Sequence, residues 1–250
     1  MNFTTCSRMN NGILLYDKVI VNSDKGWDTI MAKLLYITVN PKKDIAKSKG
    51  RQLGEVFLET FRAEQPDVEI ENWDLYTMDF PRIDEDLLNA RVKISFMGYK
   101  LEDLSEGERS QFTAMHELCD KFMEFDNFVF VTPIWNLGSP AILKDFLDNL
   151  FITNKTMAHT PEGAVGLLKG KKAIHIQTRG GIYSSGRMQP LEAGDRHLTN
   201  ALNFLGMEVM ETVYAEGMDH FPKQAAEIMA AAKVTAAAAA RNMAKSEVSI

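Results

Sequence analysis

The chain has 250 residues, of which 45% are hydrophobic and 25% charged, and its formal net charge at pH 7 is -6. That composition belongs to a globular protein long enough to bury one large α/β core or two small ones, and it excludes a disordered chain. With no basic cluster interleaved with aromatics, the acidic balance excludes nucleic acid as a partner. It still leaves room for a small anion held by backbone amides at a helix start.

Residues 1–30 show little sustained periodicity, although Leu14-Leu15-Tyr16 and Val19-Ile20-Val21 could supply a stray strand. This segment reads as an N-terminal extension outside the core or a mis-called start, with Met31 as the natural start and 31–250 as the domain, or else as a genuine extra arm. The first core signal is Lys33 to Thr38, a short apolar run of the buried parallel-strand kind. A polar loop to Lys47 leads into a helix from about Ser48 to Gln65, striped by Leu53, Val56, Phe57 and Phe61 and stopped by Pro66. Val68 to Trp73 alternates in period two and gives a second, more exposed strand. The stretch from Tyr76 to Leu104 then has no clear strand and is longer than a connection requires.

Ser105-Glu106-Gly107-Glu108 is a capping box opening a helix that carries Phe112, Met115, Cys119, Phe122 and Phe125 on one side. Asn127 to Thr132 is the most apolar strand and belongs at the centre of a sheet covered on both faces. Ser139-Pro140 opens the next helix, with the proline in its first turn. Lys171 to Thr178 forms a fourth strand broken by Gly180-Gly181. A helix from about Asp195 to Phe204, a fifth strand from Met207 to Ala215, and an alanine-rich closing helix from Pro222 to Ala244 complete the chain. Strands alternating with helices give an α/β fold with a doubly wound, five-stranded parallel sheet. In the flavodoxin-like order 2-1-3-4-5, a ligand crevice lies at the carboxyl ends of strands one and three.

Cys6 and Cys119 are too few and too far apart for a disulfide framework, which fits a reducing cytoplasm. The five histidines His116, His159, His175, His197 and His220 are scattered in no ligand spacing, so no metal is expected. No apolar run is long enough to span a membrane, and the first residues lack the pattern of a signal peptide.

Three loops at the carboxyl edge carry the chemistry. After strand one, Ser48 and Gly50 stand at a helix start amid Lys42, Lys43, Lys47 and Lys49. This is either a phosphate site or a solvated polar cap with Ser48 as N-cap. After strand three, Ile134-Trp135-Asn136-Leu137 lies between two prolines. It offers an apolar wall and an amide for a heterocycle edge, or else a turn whose tryptophan packs on the core. After strand four, Thr178-Arg179-Gly180-Gly181 can turn consecutive N–H groups toward an acceptor, or can be a mobile surface turn. Their shared position at one edge favours a binding site.

With Pro133-Ile134-Trp135-Asn136-Leu137, Arg179-Gly180-Gly181-Ile182-Tyr183-Ser184, Gly163 to Lys172 and Ala215-Glu216-Gly217, the chain from Met31 onward resembles the FMN-dependent NADH:quinone oxidoreductase and azoreductase family. The resemblance implies a homodimer with active sites at the subunit interface, and the cysteine usage and the absent signal pattern imply a cytoplasmic one. It implies FMN as cofactor, NADH or NADPH as co-substrate, and quinones and azo compounds as acceptors reduced in a ping-pong scheme. By position, Ser48 would bind the phosphate, and Ile134, Trp135, Asn136 and Leu137 would line the ring. Thr178, Arg179, Gly180 and Gly181 would hold the pyrimidine end. The flavin N5 would carry the hydride, with Tyr183 and His159 as the candidate residues near nicotinamide or acceptor. Asn40 and Gly50 stand where relatives often carry serine, and His159 where many carry tyrosine. Ser139 follows Gly138 where bulkier residues are common. The rival reading is a non-catalytic flavodoxin-type electron shuttle or interaction module, which would need a strongly acidic docking face.

Overall fold

The structure, a computed structural model, describes residues 7–10, 13–16 and 32–246. Near the N-terminus β1 (Ser7–Asn10) and β2 (Ile13–Tyr16) form an antiparallel pair that joins none of the other strands. The stray strand expected at Leu14-Leu15-Tyr16 is thus half of a hairpin, and Val19 to Val21 lies outside the described residues.

Five parallel strands form the body: β3 (Leu34–Thr38), β4 (Ile70–Asp74), β5 (Asn127–Pro133), β8 (Lys172–Thr178) and β9 (Glu208–Ala215). They lie in the order β4-β3-β5-β8-β9, which is 2-1-3-4-5 counted along the chain. This is the expected flavodoxin-like sheet. Two-residue periodicity sends alternate side chains of each buried strand to opposite faces, so each face has its own core. On one face Leu34, Tyr36, Val129, Val131, Ile174 and Ile176 meet α1 (Lys49–Glu64) and α6 (Ala225–Lys245). On the other, Leu35, Ile37, Phe128 and Phe130 meet α3 (Glu106–Met123), α4 (Ala141–Asp148) and α5 (Gly194–Phe204). A fully buried phenylalanine such as Phe57 or Phe122 contributes about 2–3 kcal/mol of transfer free energy. The alanine-rich helix is packed tightly: Ala232, Ala236, Ala239 and Ala240 are buried against α1 and the sheet.

Two elements depart from the sequence reading. Within 76–104 the chain forms α2 (Glu85–Phe96), capped by Asp84, whose carboxylate accepts from the Leu87 N–H at 2.9 Å. Between α4 and β8, β6 (Met157–Thr160) and β7 (Gly163–Gly166) pair as an antiparallel hairpin. Pro140 takes the cap position just before α4, one residue ahead of the first-turn place expected for it. Among the described residues no helix is long and apolar enough to cross a membrane.

Candidate functional site

The carboxyl edge is built from the ends of β3, β5, β8 and β9, and its first wall is the start of α1. Ser48 is the N-cap: its buried hydroxyl accepts from the Arg51 N–H at 3.3 Å and from the Asn40 amide at 3.3 Å. Arg51 reaches back to the Asn40 and Lys42 carbonyls and pairs with Asp74 at 2.6 Å, which folds the loop over the helix start. The Lys49 and Gly50 N–H groups find no acceptor among the described residues, so the positive end of a 16-residue helix is open to an anion. Gly50 brings this end against the neighbouring strands, since a Cβ there would stand 3.3 Å from Val131 and 3.7 Å from the Thr178 hydroxyl.

The second wall is a strained turn. Trp135 and Gly138 exchange backbone hydrogen bonds of 2.7 and 3.0 Å across Asn136 and Leu137. The two central residues have φ of 49° and 74°. Both lie in the left-handed region, as in a type I′ turn. Asparagine tolerates it, whereas leucine pays about 1–3 kcal/mol, a strain that clusters at ligand clamps. The turn is fixed from outside: the Ile134 N–H donates to the Thr178 carbonyl at 2.9 Å, and the Leu137 carbonyl accepts from the Ala193 N–H at 2.8 Å. Ile134 is half-buried, while Trp135, Asn136 and Leu137 are exposed. Asn136 and Leu137 turn N–H groups with no acceptor among the described residues. Trp135 therefore does not pack on its own core.

The third wall is the loop after β8, held by the loop after β9. The Gly180 carbonyl accepts from the Asp219 and His220 N–H groups at 2.9 and 3.2 Å, and the Gly181 carbonyl from Gly217 at 3.0 Å. The N–H groups of Gly180 and Gly181 have no acceptor among the described residues. Thr178 is half-buried beside Gly50. The Tyr183 ring folds back over Gly181, where an added Cβ would stand 3.2 Å from it. Arg179 is placed differently from its neighbours. Its guanidinium is buried, donates to the Gln177 amide oxygen at 2.6 Å, lies 3.8 Å from the Tyr214 ring centroid and faces Glu216 and Glu192. Its own N–H donates to the Ala215 carbonyl at 2.8 Å, so neither its guanidinium nor its amide is open to a ligand.

Beneath these loops lies a polar network that sequence reasoning missed. His175, buried in β8, meets Asp195 through Nδ1 at 2.7 Å and the Thr132 hydroxyl through Nε2 at 2.8 Å. Asp195, at the start of α5, also accepts from Thr212 at 2.8 Å and Tyr214 at 2.7 Å. Burial opposes its ionisation, but His175, Tyr214 and Thr212 outweigh that and hold its carboxyl well below the usual range. Burial and the adjacent Asp195 carboxylate push the Tyr214 hydroxyl up to about 12. The available signal was a histidine and a glutamine in an otherwise apolar strand.

The structure brings Ser48, Ile134 to Leu137, Thr178 to Gly181 and Tyr183 to one edge, but not His159. That residue is exposed on the β6–β7 hairpin, whose base packs Gly166 against Leu205 and Gly206 at the far end of α5. Among the described residues no hydrogen bond or ring contact joins His159 to the three loops. The donor set suits a flat heterocycle with an anionic tail: open amides at α1 for the tail, an exposed indole and leucine for the faces, and paired amides at Gly180 and Gly181 for a carbonyl edge.

Known proteins resemble this chain in sequence and in fold. Residues 32–239 match the flavodoxin-like fold family model. An FMN-dependent NADH:quinone oxidoreductase of Geobacillus kaustophilus is 40% identical over 200 residues, covering 80% of this chain and 94% of that protein. A crystal structure of an azoreductase from Bacillus anthracis matches with a TM-score of 0.79 at 32% identity, over 85% of this chain and all of that one (100%). An FMN-dependent NADH-azoreductase of Bacillus anthracis, solved in complex with FMN, matches with a TM-score of 0.78 at 32% identity, covering 86% of this chain and 100% of that one.

Proposed function

The chain belongs to the flavodoxin-like family of FMN-dependent NADH:quinone oxidoreductases, and on that premise we propose that it binds FMN and passes two electrons from NADH or NADPH to quinones and azo compounds. Donor and acceptor take turns at one site in a ping-pong scheme. The observation that carries the reading is the set of three amide pairs, at Lys49–Gly50, Asn136–Leu137 and Gly180–Gly181, facing one edge without protein acceptors among the described residues. Bound FMN supplies the atom that takes up and returns hydride, so the chain's own residues need only bind, orient and exclude water. Ser48 shapes the phosphate end by holding the helix start open. Ile134, Trp135, Asn136 and Leu137 would cover the ring, the Thr178 hydroxyl and the Gly180 and Gly181 amides would take its carbonyl edge with Arg179 buried behind them, and Tyr183 would border the place of nicotinamide or acceptor.

The test is anaerobic. The purified protein should release FMN, and not FAD, on heating, and its flavin absorbance should bleach with NADH or NADPH and return on adding a quinone. Protein without flavin, or flavin that neither nucleotide bleaches, would overturn the reading.

A second copy completes the site in this proposal. The outer side of α2 and its continuation leave Leu88, Val92, Phe96, Met97, Tyr99 and Leu101 exposed, Phe96 by 76%. That apolar patch is costly to leave in water. Its burial in a homodimer would let His159 of one subunit approach the site of the other, where it can hand a proton to a reduced acceptor. His159→Phe should then leave reduction by NADH intact and slow reoxidation by acceptor, as stopped-flow resolves; equal effects on both would make His159 structural. We also assign the FMN-binding unit to residues 31–250, supported by a five-stranded sheet that includes neither β1 nor β2. A chain beginning at Met31 should keep its flavin and its oligomeric size, and loss of either would place the leader within the functional unit. Cytoplasmic residence fits the one described cysteine, Cys119, whose thiol burial pushes up to about 12.

A further inference from the structure

We propose that Glu216 is a positioning residue: an internal anion that occupies the amides of Tyr183 and Ser184, so that in this loop the Gly180, Gly181 and Ile182 amides are the ones left to a ligand. One carboxylate oxygen of Glu216 accepts from the Tyr183 N–H at 3.0 Å, the Ser184 N–H at 3.1 Å and the Arg179 guanidinium at 3.3 Å. The other accepts from the Ser184 hydroxyl. Consecutive N–H groups in a glycine-rich turn make an anion-binding concavity, and here part of it is filled by the protein itself. The carbonyls of Gly180 and Gly181 are tied to the backbone of 217–220, on the side from which Glu216 comes. A Cβ at Gly180 would stand 2.1 Å from the Asp219 carboxylate, so the two loops are pressed together there. The N–H groups of Gly180, Gly181 and Ile182, which have no acceptor among the described residues, therefore carry the acceptor-binding role in this loop.

The clamp has an electrostatic consequence. Among the described residues Arg179 is the one cation buried beside this loop, and Glu216 and Glu192 face it at 3.3 and 3.7 Å. Burial opposes ionisation of Glu216, but hydrogen bonds from Ser184 and Tyr183 and the charge of Arg179 outweigh it and hold the carboxyl below its usual range. Arg179 is thus neutralised, and its charge is not spent on the ring. With flavin bound, charge developing on its carbonyl edge would meet neutral amides rather than a free guanidinium, which would keep the potential low.

This inference rests on the FMN reading for its redox part, but its structural part does not. In amide exchange on the full-length flavin-free chain, Tyr183 and Ser184 should be protected and Glu216→Ala should speed both by at least about tenfold, with β9 unaffected. Fast exchange in the wild type, or unchanged protection in the variant, would overturn the clamp whether or not FMN binds. In the flavin-loaded protein, Glu216→Gln should favour the reduced state by about tenfold, or about 30 mV for a two-electron couple. An unmoved or lowered potential would overturn the neutralising role. A wild-type chain that takes up no FMN would instead sink the function proposed above, leaving the exchange result to decide the clamp.

Discussion

Asp195→Ala should lower folding stability by about 3 kcal/mol, because it strips a mostly buried histidine, a tyrosine and a threonine of their shared acceptor. The loss comes from the partners left behind rather than from the carboxylate. His175 is 1% exposed and cannot find water, and the Tyr214 hydroxyl reaches Asp195 from a neighbouring strand. Urea denaturation should show a lower midpoint with an unchanged slope. Asp195→Asn keeps the shape and part of the hydrogen bonding and should lose less.

The same carboxylate gives a pH dependence with a definite sign. Its folded pKa is depressed below the ordinary 3.8, so its contribution is present above about pH 4. That contribution drains away as the pH falls through the folded value. Asp195→Asn should therefore flatten the acid limb of the stability curve below pH 4 and leave its shape near neutrality unchanged. A variant with the full acid dependence of the wild type would show that Asp195 is not the group responsible. Flavin affinity should fall in the alanine variant too. Thr132 lies two residues before Ile134, and the Tyr214 ring supports Arg179, so the network underlies two walls of the site.

What could be read from the sequence followed from how strongly burial constrains residue choice. A central parallel strand must be apolar on both faces, and Asn127 to Thr132 shows that directly. Ser48, Asp84 and Ser105 are all N-caps, yet only the caps followed by a one-sided stripe were recognised as helix starts. Helix α2 was missed because it buries Leu87 and Ala90 while leaving Leu88, Val92 and Phe96 outside. Apolar residues on both sides erase the period that marks a helix on one core. The β6–β7 hairpin, with Gly163 and Ala164 in its second strand, carries little β propensity. At the site, the loops were legible because prolines and glycines mark the sheet edge. Roles within them were not. Arg179 beside two glycines reads as a ligand group until packing turns it inward, and Glu216 gains its partners only when two loops distant in sequence meet.

Leu137→Gly should have opposite effects on stability and on binding. In the flavin-free chain it removes a leucine from φ 74° and should raise stability by about 1 kcal/mol, seen as a higher melting temperature. Glycine also deletes an apolar side chain that is 38% exposed and placed to cover a bound ring. It loosens a turn that is otherwise set in one conformation before the ligand arrives. Losing that covered area and that preorganisation should weaken FMN by about 1.4 kcal/mol, or tenfold, in a fluorescence titration. Gly138→Ala is the control: a Cβ there meets nothing within 4 Å and its φ is not in the left-handed region, so both quantities should hardly move. Asn136→Ala differs again, since alanine tolerates φ 49° less well than asparagine and cannot meet a polar ring edge. It should lose stability and affinity together. If Leu137→Gly binds FMN as tightly as the wild type while melting higher, the strain in this turn serves no ligand and the second wall of the site is misassigned.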